Sequence, residues 1–304
     1  MPSVHGRATL RQTRTMDLRF DLLNVFSIEG RPFSGNPLCV FPDAGTLSDA
    51  EMLAWARQFN LSESTFVTST GNGATGEAAV RIFTPGHEMP FAGHPTLGTA
   101  EVVASLNGSD GEPDLVHLTM PAGRIRVTRI DGGWRLTARP ATLREVTPSA
   151  TDLAAALGVD VARVVRSDAS WVDAGVEQLV VRLDDVEAVR ACDPDAHLMA
   201  EHMTSPGTPP HVYAWAWSGP RSIDARLFYT QDRAVLEDPA TGSACANLGG
   251  WLVAQGVRDV SVEVSQGAAV GRPSRLLLDV DEQGGVHVGG RVERVGNGTC
   301  WVGA

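Results

Sequence analysis

The sequence predicts an α+β protein with two similar halves, each consisting mainly of strands that surround one apolar helix. Short segments rich in valine, leucine and threonine recur along the chain, and 32 glycines and 18 prolines are scattered between them, which is typical of many strands joined by turns. Two apolar segments, 95–106 and 242–254, are predicted helices that a sheet must cover. A motif that occurs once in each half supports the twofold division.

The first half begins with strands and contains two predicted helices. Ser48 and Glu51 form a capping box ahead of an apolar run, so one helix is expected to begin there. The dipeptide Gly132-Gly133 separates two strand-like segments and predicts a hairpin turn. The predicted strands are residues 18–26, 36–41, 63–69, 76–84, 114–120, 124–130 and 134–138.

The second half follows a break between Pro140 and Pro148, where polar residues replace the strand pattern. It contains a short predicted helix at 151–157 and the apolar helix at 242–254. Its predicted strands are residues 160–166, 177–183, 211–217, 222–229, 260–265, 274–280 and 285–289. We therefore expect an extension at 1–16, a first domain at 17–139 and a second domain at 148–290. The C-terminal strand near 290–304 could join the first domain.

The repeated motif places equivalent residues ahead of the two apolar helices. Proline suits the first turn of a helix, and the free N–H groups there attract anions. Two such helix starts could face each other across a cleft and hold a small carboxylate, although chance recurrence of common residues is the alternative. The motif reads Arg81-Ile82-Phe83 before His94-Pro95-Thr96-Leu97-Gly98-Thr99-Ala100, and Arg226-Leu227-Phe228 before Asp238-Pro239-Ala240-Thr241-Gly242-Ser243-Ala244.

Composition limits the partners and cofactors that the protein can use. A formal net charge of -11 argues against nucleic acid and anionic membranes as partners. All 25 residues counted as lysine or arginine are arginine. Without lysine, the chain can form neither a pyridoxal phosphate Schiff base nor the lysine contact of a Walker A loop. The eight histidines show no metal-binding spacing, so we expect no cofactor and no metal.

The cysteines and the N-terminal residues predict a cytoplasmic protein. The four cysteines lie far apart and form no C-x-x-C pair, which is typical of reduced thiols. Residues 1–15 lack the apolar run of a signal peptide. No stretch approaches the roughly 18 apolar residues that a membrane helix needs, so no membrane partner is expected.

Several segments stand in an order that indicates a known family. They are Asn60-Leu61-Ser62-Glu63-Ser64-Thr65-Phe66-Val67, Arg81-Ile82-Phe83-Thr84-Pro85, Pro90-Phe91-Ala92-Gly93-His94-Pro95, Glu237-Asp238-Pro239-Ala240-Thr241-Gly242-Ser243-Ala244, and the shorter Gly35-Asn36-Pro37-Leu38, Gln266-Gly267 and Gly271-Arg272-Pro273-Ser274. From Asp17 onward the chain resembles the PhzF-like phenazine-biosynthesis family. The resemblance implies the diaminopimelate epimerase-like fold, in which two domains, each a barrel-like, mostly antiparallel sheet around a central helix, enclose the site.

The resemblance also implies an activity and a set of site residues. The activity is a cofactor-independent isomerisation of a small cyclic amino or hydroxy carboxylic acid, such as trans-2,3-dihydro-3-hydroxyanthranilate. Glu63 is the implied acid/base that removes and returns a proton, with His94 and Asp238 as further catalytic residues. The candidate substrate-binding residues are Gly93, Thr241, Gly242 and Ser243. A homodimer is the default expectation for a soluble enzyme.

Other functions stay open at this point. Diaminopimelate epimerases place one cysteine in each half, at points that here read Gly93 and Asp238. The residues therefore favour a proton shuttle with one carboxylate. An amino-acid epimerase or racemase, with Asp238 as second acid/base, and a non-catalytic binding protein are the alternatives. Single residues also have local alternatives: Asp238 as a helix N-cap, Ser243 bonded within its helix, and His94 bonded to nearby backbone.

Overall fold

The computed structural model describes residues 16–71, 76–106, 114–206 and 209–302, so the predicted extension lies outside the described residues except for residue 16. The helices of this part are α1 (Asp49–Phe59), α2 (Gly93–Leu106), α3 (Ala150–Leu157), α4 (Val186–Ala191), α5 (Ala196–His202) and α6 (Gly242–Ala254). The strands are β1 (Met16–Ser27), β2 (Asn36–Phe41), β3 (Ser64–Thr70), β4 (Glu77–Phe83), β5 (Glu88–Met89), β6 (Leu115–Met120), β7 (Gly123–Ile130), β8 (Gly133–Thr137), β9 (Thr142–Arg144), β10 (Ser170–Asp173), β11 (Glu177–Arg182), β12 (His211–Gly219), β13 (Ser222–Gln231), β14 (Ala234–Asp238), β15 (Val260–Gln266), β16 (Ser274–Val280) and β17 (Val286–Val302).

The first half forms a closed barrel around helix α2. Its strands pair in the order β1, β2, β3, β4, β6, β7, β8 and β17, and β17 pairs with β1 to complete the circle. All eight strands contact α2, and most of its residues between His94 and Ala104 are buried. The apolar sequence of α2 fits this position, because a helix that is apolar on every side is stable only when it is covered.

The second half forms a curved sheet against helix α6. Its strands pair in the order β9, β10, β11, β12, β13, β15, β16 and β17, with β14 added to β13. Helix α6 contacts β10, β11, β16 and β17. Strand β17 belongs to both sheets: residues 287–289 pair with β16 on one side and with β8 on the other, and residues 291–302 pair with β1.

The two halves repeat one connection. In each, the central helix links two parallel, neighbouring strands: β4 to β6 through α2, and β13 to β15 through α6. The repeated arginine also has the same environment, since Arg81 on β4 pairs with Glu88 at 2.6 Å and Arg226 on β13 pairs with Glu237 at 2.7 Å. The predicted α+β architecture of two similar halves is confirmed. The boundaries at 17–139 and 148–290 stay a prediction.

The main difference from the prediction lies at 160–166. This segment forms two 3₁₀ turns, Val161–Arg163 and Arg166–Asp168, where a strand was expected. Asp160 explains the first turn, because its side chain accepts a hydrogen bond from the Ala162 N–H, and such local bonds compete with strand pairing. The sequence pattern also does not reveal β9, β10, β14, α4 and α5, since elements this short carry little periodicity.

No helix among the described residues is long and apolar enough to span a membrane. The cysteines are free thiols, and Cys39, Cys192 and Cys245 are buried whereas Cys300 is half-buried.

Candidate active site

The two central helices begin against each other. Gly93 is the first residue of α2, and Gly242 is the first residue of α6. A Cβ atom added to Gly93 would lie 3.5 Å from the Cα of Gly242, and one added to Gly242 would lie 3.6 Å from the Cα of Gly93. The two helix starts therefore converge, and both border one cavity, which Gly93, Gly242 and Ser243 line together. Both distances are ordinary van der Waals contacts, so the two helix starts lie close together, with room for a Cβ atom at either position.

Glu63 lies next to this contact, at the end of the connection from α1 to β3. Its Oε2 atom is 3.6 Å from Nε2 of His94, the second residue of α2. Both atoms are buried, and neither has a hydrogen-bond partner among the described residues. Only 16% of the Glu63 side chain is exposed. Buried polar atoms are usually paired, so these two atoms are candidates for hydrogen bonds with the polar groups of a ligand.

Burial keeps both groups mainly neutral at neutral pH. Burial, aided by the nearby charge of Asp238, raises the pKa of Glu63 to about 8. Burial also lowers the pKa of His94 to about 3, although a hydrogen bond from the ring to the Pro37 carbonyl opposes this. Because Nε2 faces Glu63, we assign the Pro37 bond and the ring proton to Nδ1, which leaves Nε2 as an acceptor. The contact between Glu63 and His94 is thus not an ion pair.

Asp238 is the third ionisable group of the cluster. It is the last residue of β14, and Thr241 is the N-cap of α6, so the N-cap role considered for Asp238 is wrong. The Asn36 side-chain amide donates to its Oδ1 at 3.1 Å, and the Thr241 hydroxyl donates to its Oδ2. Burial raises the pKa of Asp238 to about 6, and these two hydrogen bonds limit the rise because they stabilise the carboxylate.

Asn36 connects the segments that carry the two carboxyl groups. Its side-chain nitrogen also donates to the Ala240 carbonyl at 3.0 Å, and its oxygen accepts from the Ser62 hydroxyl at 3.3 Å. Ser62 directly precedes Glu63. Asn36 is fully buried, so replacing it would remove a donor from the Asp238 carboxylate and from the Ala240 carbonyl.

Gln266 fixes the orientation of Thr241. Its side-chain nitrogen donates to the Asp238 carbonyl at 2.8 Å and to the Thr241 hydroxyl oxygen at 3.0 Å. Since the Thr241 oxygen accepts this bond, its hydroxyl proton is directed to the Asp238 carboxylate.

Ser243 is the second residue of α6, and its side chain bonds to Gln178 instead of one of the three ionisable groups. Its Oγ accepts a hydrogen bond from Gln178 at 3.2 Å, and Asn247, one turn further along α6, donates to Gln178 at 2.9 Å. Ser243 lines a cavity together with Gly93 and Gly242, and the ionisable cluster is not part of that lining.

Residues 24–300 match the family model described as phenazine biosynthesis-like protein. The chain belongs to this family. An uncharacterized isomerase of Pasteurella multocida is 35% identical over 287 residues, which are 93% of this chain and 94% of the relative. The trans-2,3-dihydro-3-hydroxyanthranilate isomerase of Pseudomonas fluorescens is 34% identical over 284 residues, which are 89% of this chain and 93% of the relative. The phenazine biosynthesis protein of the PhzF family from Bacillus anthracis has a similar crystal structure, with a TM-score of 0.80, 19% identity, and coverage of 94% of this chain and 100% of that one.

The comparisons confirm the predicted family. Because the relatives are named isomerases, they also confirm that this family member is an isomerase. The structural likeness confirms the predicted diaminopimelate epimerase-like fold. Among the residues that the structure describes, no group of three or more histidine, cysteine, aspartate or glutamate side chains could hold a metal ion.

Sequence reasoning missed two residues that hold the cluster together, Asn36 and Gln266. Both belong to segments that carry the family resemblance. Each also stands next to a glycine with positive φ, Gly35 at 80° and Gly267 at 78°. A polar amide beside a glycine at a sharp backbone turn is a local signal that could have identified both as candidates.

Proposed function

We propose that this family member moves a proton between carbons of a small cyclic amino or hydroxy carboxylic acid, without a cofactor and with Glu63 as general acid/base. The observation that carries the proposal is the buried Glu63 carboxyl. Its Oε2 atom has no hydrogen-bond partner in the described chain, and its pKa is raised to about 8. A carboxyl group with this pKa can release and recover a proton near neutral pH.

In the proposed reaction Glu63 acts twice. Its carboxylate takes a proton from one ring carbon, and the electrons of that C–H bond shift into the neighbouring double bonds. The carboxylic acid so formed then returns the proton to a different carbon. Because one residue makes both transfers, both occur on the same face of the ring, and the substrate is neither oxidised nor reduced.

His94 and Asp238 orient the substrate in this proposal. The neutral His94 ring offers Nε2 as an acceptor for an amino or hydroxyl group of the substrate. Above about pH 6, Asp238 is ionised and accepts a second such hydrogen bond. Gly93, Gly242 and Ser243 offer N–H and O–H donors for the substrate carboxylate at the helix starts.

The named relatives and the chemistry of the site support the proposed substrate class. A relative 34% identical is named trans-2,3-dihydro-3-hydroxyanthranilate isomerase. We propose this compound or a related cyclic acid as the substrate, and we expect the enzyme to be a homodimer in the cytoplasm.

Turnover in D₂O tests the proposal. Candidate acids are incubated with wild type, with Glu63→Gln and with the control Glu29→Gln, whose side chain is 83% exposed. NMR then locates the deuterium. We expect deuterium at a new carbon with wild type and control, and a loss of turnover of at least about 10²-fold in Glu63→Gln. Full turnover by Glu63→Gln contradicts the mechanism, and binding without any exchange indicates a non-catalytic protein.

Epimerisation is the second candidate, because Asp238 is a second buried carboxyl group with a pKa raised to about 6 and its charge affects Glu63. An epimerase exchanges the proton at one carbon and inverts that carbon. Deuterium at the original carbon, with racemisation that both Glu63→Gln and Asp238→Asn abolish, favours this candidate over the isomerisation of double bonds.

A further inference from the structure

An apolar cavity of about 340 Å³ opens beside the starts of both central helices. Gly93, Gly242 and Ser243 form the part of its wall at the helix starts. The volume is roughly twice that of the ~150 Å³ engineered apolar cavity that holds benzene, so an aromatic ring and a short polar group fit here together. Its apolar walls include Phe26, Met89, Phe91, Leu136, Ala138 and Val288.

Phe26, one of these wall residues, has a strained backbone conformation. Phe26 lies where the register of β1 shifts and has a φ of 62°, which a bulky side chain rarely adopts. Its ring is fully buried and reaches the start of α6, since a Cβ atom on Gly242 would lie 3.4 Å from the Phe26 Cζ. Strain of this kind is often found at ligand sites.

Ser243 supplies a hydrogen-bond donor at the helix-start end of the cavity. Its oxygen accepts from Gln178, which is 2% exposed and is held by Asn247. Because the oxygen already accepts this bond, the Ser243 hydroxyl proton is free to point into the cavity. The Thr241 side chain makes no cap hydrogen bond to α6 within the described part of the chain, so the first N–H groups of the helix stay available beside Ser243.

The charge of the lining fits an anion. Arg139 is the one charged side chain among the residues that line the cavity in the described ranges, and it is exposed. No aspartate or glutamate appears in that lining, although the whole chain has a net charge of -11. Apolar walls with a few convergent donors and one cation are suited to a carboxylic acid with an apolar body.

We propose that this cavity binds an apolar, non-reacting part of the substrate, and that among the small cyclic acids of the proposed function the enzyme prefers those that carry an additional aromatic or branched apolar group. This inference rests on the proposed function, because its occupant is the molecule whose proton Glu63 moves. Gly93 directly precedes His94, and Ser243 follows Thr241 by two residues. A Cβ atom on Gly242 would also lie 3.6 Å from the backbone nitrogen of His94, so the helix-start end of the cavity adjoins the first residues of the ionisable cluster.

Binding, measured separately from turnover, tests the inference. Phenylacetate is titrated calorimetrically into wild type and Glu63→Gln. Acetate lacks the ring, and phenylacetamide lacks the charge. We expect phenylacetate to bind both proteins alike, and both comparison compounds to bind at least about tenfold more weakly. Glu63→Gln lacks the proposed base. If this variant still binds phenylacetate, the cavity binds the ligand independently of the proposed mechanism.

Two variants fill the cavity from different segments. Ala174→Leu and Ala122→Leu each place a larger side chain in the lining, and Ala54→Leu on the exposed face of α1 is the matched control. We expect a loss of phenylacetate affinity of at least about tenfold in both cavity variants and none in the control. Thermal unfolding verifies that each variant is folded.

The inference is overturned if phenylacetate does not bind wild type, if acetate binds as tightly as phenylacetate, or if both folded cavity variants bind like wild type. In a further outcome, phenylacetate binds more tightly than acetate, but no acid tested exchanges a proton. This result supports the cavity as a site for apolar carboxylates and overturns only the proposed function.

Discussion

Replacing Glu63 with glutamine is expected to stabilise the protein at alkaline pH, even though it removes the proposed base. Burial raises the pKa of Glu63 from 4.5 to about 8 in the folded protein. The folded state therefore holds this proton more tightly than the unfolded chain does, and the free energy of unfolding falls as pH rises between these two pKa values. Each pH unit corresponds to about 1.4 kcal/mol, so ionisation of Glu63 costs the fold about 5 kcal/mol by about pH 9.

Equilibrium unfolding in urea at several pH values between about 5 and about 9 measures this effect. Glutamine has no ionisation in this range. The difference in unfolding free energy between Glu63→Gln and wild type should be small near pH 5 and should grow to about 5 kcal/mol near pH 9. Glu29→Gln, at a side chain that is 83% exposed and lies 3.6 Å from Arg291, is the control for the same change of residue type outside the ionisable cluster.

A difference between Glu63→Gln and wild type that stays constant over the whole pH range would refute the reasoning. It would mean that Glu63 titrates alike in the folded and unfolded states, and that burial does not oppose its ionisation. The proposed acid/base role would then lose its electrostatic basis, whatever the variant does to turnover.

Three further predictions concern the pH profile and the barrel. The kcat/KM should rise with pH and level off above about pH 8, because Glu63 must be ionised to take a proton; a profile already level at about pH 6 contradicts this. Asp238 should add a second, lower ionisation to the same profile near pH 6, and Asn36→Ala, which removes a hydrogen bond to its carboxylate, should move this second ionisation to higher pH; an unmoved second ionisation shows that Asn36 does not act through Asp238. Gly133→Ala should lower the free energy of unfolding by about 1–3 kcal/mol, as thermal unfolding can measure, because its Cβ would lie 2.0 Å from the Gly290 carbonyl oxygen; an unchanged Tm contradicts the close packing of β8 on β17.

Much of the fold could be predicted because its signals are local. The capping box is an example: the Ser48 side chain accepts from the Glu51 N–H, and the Glu51 side chain accepts from the Ser48 backbone, as the sequence predicts. The repeat of Arg81 and Arg226 ahead of the two apolar helices was also visible, since each copy lies within a short stretch of chain. Elements of a few residues, such as β14, were not visible because their pairing with a neighbour creates them.

The arrangement of the candidate site could be predicted only in part. Family motifs indicate Glu63, His94 and Asp238 as candidate site residues. The bond from Asn36 to Asp238 joins residues 202 positions apart, and no local pattern encodes such a contact. The pKa of His94, lowered to about 3, is likewise a property of the folded environment, because burial causes it. The contact between Gly93 and Gly242 could not be predicted either, because it joins two segments that are distant in the sequence.

Both halves of the molecule need strand β17 to complete their strand pairing. The first barrel needs residues 291–302 opposite β1, and both β8 and β16 need residues 287–289. During synthesis the first half therefore leaves the ribosome with open strand edges, and neither half reaches its final pairing until the last strand has emerged. Pairing over such long sequence separations slows folding and leaves edges exposed to other chains. A chain cut before β17 should therefore aggregate, although it retains every residue of the ionisable cluster.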